Sequence, residues 1–112
     1  MTITIDTGSL DEGGALMHAE DAPAQLCLAL VRLEAKLAGC GLDLSDVDRL
    51  RVLLIERVAP GELIDLIAER LDATAATPTV TWACVERLEV PGMLVGISAD
   101  VTGHRIHPDQ KD

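Results

Sequence analysis

The sequence predicts an α/β fold, a two-layer sandwich in which two helices cover one face of a β-sheet. Apolar residues alternate in some segments and recur with helical spacing in others, in the order strand, helix, strand, helix, strand, strand. Hydrophobic residues make up 48% of the 112 residues, yet the chain has 1 Trp and no Phe or Tyr, so its core must be aliphatic. This length fits one domain. We expect that domain at residues 1–103 and a polar tail at 104–112.

The N-terminal segment predicts a strand followed by a loop. Thr2–Ile5 alternates and is rich in β-branched residues, which is typical of a strand. Thr7-Gly8-Ser9 and then the stretch 11–14 carry turn-forming residues, so we expect the strand to end before Thr7. The stretch 15–17 predicts a short edge strand.

The first helix has clear signals at both ends. Asp21 is a suitable N-cap and Pro23 falls in the first turn. Gly39 and Gly41 predict the end of the helix. Cys27 lies among the apolar residues, and we interpret it as a core residue. One helix face is formed by leucines spaced four, three and four residues apart, namely Leu26, Leu30, Leu33 and Leu37.

A second strand and a second helix follow. The strand is predicted at Val47–Ile55, with Leu50, Val52 and Leu54 on one face. Its other face carries Arg49, Arg51, Leu53 and Ile55, so that face is expected to be at least partly covered. Pro60 predicts the start of the second helix. The buried stripe of that helix is expected at Leu63, Leu66, Ile67 and Leu71.

The segment Thr77–Val101 predicts two strands joined by a Pro-Gly turn at Leu88–Gly92, which would form a closing hairpin. In the last strand, apolar residues occupy one side at positions 93, 95, 97, 99 and 101. The other side carries Leu94, Gly96 and Ser98 and becomes charged only at Asp100. Helices can cover only one face of the sheet. The bare second face therefore predicts an oligomer.

Charge and cysteine content exclude several classes of function. The net charge is −10, with 19 acidic and 9 basic residues, which argues against nucleic acid or an anionic membrane as a partner. The sequence shows no signal peptide and no apolar run long enough to span a bilayer. Cys27, Cys40 and Cys84 lack metal-binding spacing, so we expect no metal site. Free thiols and the absence of a targeting segment predict a cytoplasmic location.

Five segments together resemble the RidA/YjgF family over nearly the whole chain. They cover the end of the first strand, the first helix, a Leu-Ser-Asp-Val motif and both closing strands. In order, the segments are Asp6–Asp11, Ala24–Gly41, Leu44–Leu50, Pro78–Leu88 and Leu94–Ala99. Each motif is weak alone, but their order and spacing are fairly specific.

The resemblance implies a chorismate-mutase-like fold with a mixed sheet and two helices on one of its faces. It also implies a homotrimer whose sheets face inward, with ligand clefts between subunits. Members of the family usually hydrolyse reactive enamines and imines without a metal or cofactor. We therefore expect a small-molecule ligand and no cofactor.

The resemblance also assigns site residues. Its arginine falls at Val80, its glutamate at Ser98, and a frequent cysteine at Trp82, while Thr7 and Gly8 would line the cleft. Imine hydrolysis needs a guanidinium to clamp the substrate carboxylate and a carboxylate to orient water. With both groups replaced, ordinary imine hydrolysis should be lost.

Two of these residues allow more than one interpretation. Trp82 either forms a wall of the cleft, where it could stack on a ligand, or fills the space left by the missing groups. Ser98 is a weak candidate nucleophile, because it would need an adjacent base.

The remaining polar residues are assigned no catalytic role. Arg49 and Arg51 are expected to form ion pairs, and His18 to be exposed in a loop. Arg87 matches a position at the far end of the corresponding strand in the family, so it is not assigned to the catalytic site.

Three functional hypotheses stay open. The first is a non-canonical RidA-like enzyme acting on a small molecule that lacks the usual carboxylate. The second is a catalytically silent trimer that binds a metabolite or serves in regulation or assembly. The third is an ordinary 2-imino-acid deaminase whose catalytic groups lie elsewhere in the chain. A ribonuclease role is disfavoured by the charge and the lack of aromatic residues.

Overall fold

The structure is a computed structural model that describes residues 2–102. The predicted order of strands and helices is confirmed, whereas the predicted tail at 104–112 lies outside the described residues. A short 3-10 helix at Leu44–Asp46 precedes the second strand. The main elements are β1 (Thr2–Gly8), α1 (Ala22–Gly39), β2 (Arg49–Ile55), α2 (Gly61–Ala73), β3 (Thr79–Val85) and β4 (Val95–Thr102).

The four strands form one mixed sheet in the order β1-β4-β2-β3. Strand β4 pairs antiparallel with both β1 and β2, and β2 pairs parallel with β3. The predicted closing hairpin is therefore wrong, because β2 lies between β3 and β4. The alternation of apolar and polar residues predicts β3 and β4 as strands, but it does not show which strands they pair with. Strand β4, whose side chains are almost all buried, takes a position with a neighbour on each side.

The N-terminal strand is longer than predicted. Thr7 and Gly8 do not begin a loop, because they pair with Ile97 and Gly96 on β4. The Thr7 hydroxyl also donates a hydrogen bond to the Ala29 carbonyl of α1 at 2.9 Å. Pairing with the last strand thus outweighs the local turn preference. The predicted edge strand at 15–17 is reduced to one isolated bridge between Leu10 and Leu16.

The predicted N-cap and C-terminal end of helix α1 are confirmed. The Asp21 side chain accepts a hydrogen bond from the Ala24 amide, and the helix ends at Gly39. The four leucines of the predicted face are 0–5% exposed. Cys27, however, is exposed, so its interpretation as a core residue is wrong. The buried stripe widens on the opposite side of Leu26, toward Gln25 and Ala29, and this turns Cys27 to the surface.

The core lies between the helices and one face of the sheet. That face consists of alternating residues from the two inner strands: Leu50, Val52, Leu54, Val95, Ile97, Ala99 and Val101. Leu63 and Ile67 of α2 are buried as predicted, and Leu66 and Leu71 are partly buried against the same core. Among the described residues, no helix combines the length and hydropathy that crossing a bilayer would require.

Candidate functional site

The sheet face opposite the helices, called here the open face, is charged at one end and apolar at the other. The strand register places its side chains in three rows that run from β1 through β4 to β2. The first two rows contain charged and polar residues, and the third contains glycine and leucine. The rows are Thr4–Asp100–Arg49, Asp6–Ser98–Arg51 and Gly8–Gly96–Leu53.

The charged half of the open face centres on a bidentate ion pair. The two Arg51 Nη atoms lie 2.6 and 2.8 Å from the Asp100 carboxylate oxygens, and one also donates to the Ser98 hydroxyl at 3.1 Å. The Thr4 hydroxyl donates to the same carboxylate at 2.8 Å. The hydrogen bond from Arg51 holds the pKa of Asp100 below its ordinary value, and the same bond raises the pKa of Arg51. The prediction that Arg51 forms an ion pair is confirmed.

The glycine end of the open face leads into a cleft of about 800 Å³. The first loop, residues 9–21, lines one side of this cleft, and the second loop, residues 86–94, lines another. A Cβ added to Gly96 would lie 3.6 Å from Leu88 Cδ2, and one added to Gly8 would lie 2.9 Å from Met93 Cε. The two glycines thus leave room for the second loop to lie over the end of the sheet.

Gln25 holds both loops. Its side chain is fully buried, and its amide nitrogen donates to the carbonyls of His18 in the first loop and Gly92 in the second, each at 3.1 Å. Its carbonyl oxygen accepts hydrogen bonds from the amides of Leu94 at 2.7 Å and Val95 at 3.3 Å. One side chain on α1 therefore fixes the two loops that line the cleft.

The first loop has further anchors of its own. The Ser9 hydroxyl donates to the Met17 carbonyl, and the Met17 amide donates to the Ser9 carbonyl, both at 2.7 Å. Arg57 binds Glu20 through two hydrogen bonds at 3.1 and 3.2 Å. The geometry of this side of the cleft is thus set by contacts at several points along the loop.

Gly92 is the residue of the second loop that tolerates a side chain least. Its φ is +89°, and an added Cβ would lie 2.9 Å from Leu16 Cδ2. We expect Gly92→Ala to lower the free energy of unfolding by about 1–2 kcal/mol, through left-handed strain and this contact. Urea denaturation measures the effect.

Gly39→Ala is the control for Gly92→Ala. It lies at the end of α1, where an added Cβ meets nothing within 4 Å. This substitution should be neutral or slightly stabilising. A Gly92→Ala variant as stable as Gly39→Ala would show that the second loop is not constrained at this position.

The structure separates the residues that the resemblance assigned to one site. Thr7 and Gly8 line the cleft. Val80 and Trp82 pair with Leu50 and Val52, so they lie on the helix-covered face, partly buried against the core. Ser98 lies on the open face beside Arg51. Within one chain, the two positions assigned to the family's arginine and glutamate point to opposite faces. The role of all five residues in ligand binding stays a prediction.

Sequence reasoning did not assign a role to Gln25 or to the cationic residues of the cleft. Gln25 lies one helical turn before Ala29, on the buried stripe, and a lone polar residue on such a stripe is the signal that could have revealed it. Arg32, Lys36 and Arg87 all line the cleft. They are far apart in sequence, and no local motif connects them.

The exposed loop position predicted for His18 is confirmed. Across residues 2–102, no group of three or more His, Cys, Asp or Glu side chains is arranged to hold a metal ion.

No protein-family model and no curated protein matches the sequence. Solved structures do match. A Rid-family protein of Yersinia pestis, YyfB, has a TM-score of 0.76 and 26% identity, over 89% of this chain and 77% of that one. Rv2704 of Mycobacterium tuberculosis, from the YjgF family, has a TM-score of 0.66 and 25% identity over the same shares. The YjgF protein of Escherichia coli has a TM-score of 0.77 at 18% identity, over 91% and 80%.

These similarities define the fold class of the protein. A mixed four-stranded sheet with two helices on one face is the α+β fold of the Rid structures. Together with the 25–26% identity to two structures described as Rid or YjgF members, the fold supports the resemblance of this chain to the RidA/YjgF family.

Proposed function

We propose that this protein is a divergent Rid-family homotrimer that binds a small metabolite in the cleft beside Gly8 and Gly96. We further propose that it does not hydrolyse 2-imino acids by the family's usual route. One observation carries the proposal. The position that the resemblance gives to the substrate-clamping arginine is Val80, which packs toward the helices, while the guanidinium on the open face, Arg51, is already bound bidentately by Asp100.

The lining of the cleft supports a small ligand. Leu53, Val85 and Leu88 provide an apolar wall for such a ligand. A structure of Escherichia coli TdcF, described with bound serine, shares the fold at a TM-score of 0.77 and 19% identity. The cleft of this chain, at about 800 Å³, has room for a ligand of that size.

The open face supports assembly into a trimer. Leu53 and Val85 are partly exposed there, and neither is among the described residues that pack against the helix-covered core. The charges of Arg51 and Asp100 neutralise each other and are hydrogen-bonded, so this half of the face can be buried at less cost than two separate charges. The other side of the sheet already carries the helices, which leaves the open face for the partner copies.

A catalytic role for Ser98 finds little support in the geometry. Its hydroxyl accepts a hydrogen bond from Arg51, which cannot act as a base, and no His or carboxylate is hydrogen-bonded to it among the described residues. The cleft does contain Asp6 and Glu89, and either carboxylate could orient a water molecule. Cofactor-free turnover of the bound metabolite is therefore the second candidate function.

The proposed lack of ordinary deaminase activity can be tested with 2-iminobutyrate generated in situ. We expect the imine to disappear at the rate of free buffer, because Val80 stands where the resemblance places the arginine that clamps the substrate carboxylate, and Arg51 is already bound by Asp100. A canonical Rid deaminase serves as the positive control. A loss of imine that rises in proportion to protein concentration would contradict the proposal, and Asp6→Asn and Glu89→Gln would then show which carboxylate acts.

The proposed trimer can be tested by sedimentation velocity at micromolar concentration. We expect a species of three times the 11.9 kDa chain mass. Leu53→Asp, on the open face, should dissociate it, because the new charge would be buried without a partner. Ile64→Asp is the matched control. Ile64 is 46% exposed on α2, away from the open face, and its substitution should leave the assembly intact. A wild-type protein that sediments only as a monomer would refute the trimer.

A further inference from the structure

We propose that the helix layer binds an amphipathic helix of another protein, one whose apolar face is flanked on one side by lysine or arginine. The site is a groove between α1 and α2, called here the helix groove, whose apolar lining includes Leu30, Val31, Leu66 and Ala73. The helices cover the sheet face opposite the open face. The helix groove therefore shares no residue with the proposed ligand cleft, and this inference does not depend on the function of that cleft.

The helix groove combines a buried floor with an exposed apolar rim. It has a volume of about 460 Å³. Leu30 is 5% exposed and Leu66 is partly buried against the core. Val31, on the rim, is 59% exposed, the highest value among the large exposed hydrophobic side chains of residues 2–102. A groove with an exposed aliphatic rim is the shape into which an amphipathic helix lays its apolar face.

The α2 rim of the helix groove is acidic. Four exposed carboxylates recur at spacings of three, four and three residues, which places them on one face of α2: Glu62, Asp65, Glu69 and Asp72. Glu69 also lines the groove, so this acidic row borders it. Arg70 does not neutralise the row, because its guanidinium binds Glu34 of α1 through two hydrogen bonds. A cationic flank on the partner would complement the row.

The α1 rim is uncharged by contrast. Small or aliphatic residues lie along one face of α1 at spacings of three, four, four and three, namely Ala24, Cys27, Val31, Ala35 and Ala38. Short side chains allow a second helix to approach α1 closely. The two rims thus set the orientation of the partner, with its apolar face toward α1 and its cationic flank toward α2.

The same charges disfavour two other occupants of the helix groove. A second copy of this chain, which has a net charge of −10, would bring a second acidic row into the contact. An anionic membrane surface would be repelled in the same way. A helix with a basic flank is the occupant that satisfies both the apolar lining and the acidic rim.

The experiment measures the binding of three fluorescein-labelled peptides by fluorescence anisotropy. The first has about 18 leucine and lysine residues spaced to form an amphipathic helix. The second has the same composition in scrambled order, and the third is amphipathic with glutamate in place of lysine. Wild type should bind the first peptide about tenfold more tightly than either of the others. The scrambled peptide controls for non-specific attraction to an acidic protein.

Two pairs of variants locate the site. Val31→Gln should weaken the amphipathic leucine-lysine peptide about fivefold, because it removes apolar area from the rim. Ile64→Gln is the matched control, since Ile64 is 46% exposed on α2 but does not line the groove, and it should behave as wild type. Glu69→Lys should weaken the leucine-lysine peptide and tighten the leucine-glutamate peptide. Glu86→Lys makes the same change of charge at an exposed position outside the helices and should do neither.

Four results would overturn the proposal. Equal affinity for the ordered and scrambled leucine-lysine peptides would show that no groove for a helix is present. Equal effects of Val31→Gln and Ile64→Gln would place the peptide elsewhere. Self-association in sedimentation velocity that Val31→Gln abolishes would make the occupant a second copy. Co-sedimentation with phosphatidylserine vesicles that Val31→Gln abolishes would make it a lipid surface. Tighter binding of the leucine-glutamate peptide by Glu69→Lys shows that this variant is folded.

Discussion

Replacing Gln25 by leucine is expected to lower the free energy of unfolding by about 3 kcal/mol, because a buried amide with four partners would become a hydrocarbon. Leucine has a similar volume, so packing changes little. The main loss comes from the Leu94 amide, which is buried and would have no acceptor, and from the carbonyls of His18 and Gly92. Urea denaturation at a fixed protein concentration measures the change, since assembly also contributes to stability.

The control for Gln25→Leu is Cys27→Ala, two residues further along the same helix. Cys27 is exposed, so its substitution should change stability by less than about 0.5 kcal/mol. Hydrogen exchange gives a second measurement. The amides of Leu94 and Val95 should exchange faster in Gln25→Leu and stay unchanged in Cys27→Ala. A stability loss below about 1 kcal/mol would show that the two cleft loops do not depend on this side chain.

Replacing Arg51 by methionine is expected to lower the free energy of unfolding by about 2 kcal/mol. This substitution removes the bidentate partner of Asp100, whose side chain is only 19% exposed and would keep its charge without compensation. The value lies below that for a fully buried pair because Arg51 itself is 33% exposed and solvent screens part of the interaction. A double-mutant cycle with Asp100→Asn isolates the coupling between the two residues.

The same pair predicts a dependence of stability on pH. Folding lowers the pKa of Asp100 from its ordinary value of 3.8, chiefly through the hydrogen bond from Arg51. A lowered folded-state pKa contributes stability that is fully present above the unfolded-state value and is lost as the pH falls through the folded-state value. Wild type should therefore lose more stability than Asp100→Asn between about pH 5 and pH 2. Equal losses in the two proteins would refute this role of Asp100.

The sequence predicted the elements well because each has local signals. The Asp21 cap, the leucine stripe of α1 and the alternation of β2 act within one helix or strand. The strand pairing was different. The Pro-Gly turn suggested a hairpin, but a local turn signal cannot show that β2 lies between β3 and β4. Pairing is decided by burial across the whole sheet, which no short window of sequence contains.

The site was predicted less well, for a related reason. Thr7 and Gly8 were placed in the cleft because a motif of the family covers them. Val80 and Trp82 follow the family's spacing, yet register with Leu50 and Val52 directs them toward the helices. The sequence does not indicate Arg32 as a cleft residue, because Arg32 lies on α1. Only the packing of α1 against β1 brings it to the same cleft as Gly8.

The position of β4 has a consequence for the order in which the chain can acquire its structure. In the described part of the chain, β1 pairs with β4 alone, and the Thr4–Asp100 contact joins residues 96 apart in sequence. During synthesis, β1 must therefore wait for β4, the last of the four described strands to be made. Until β4 emerges, the apolar side of β1 has no sheet to join, so among the four strands β1 would need the shelter of a chaperone for longest.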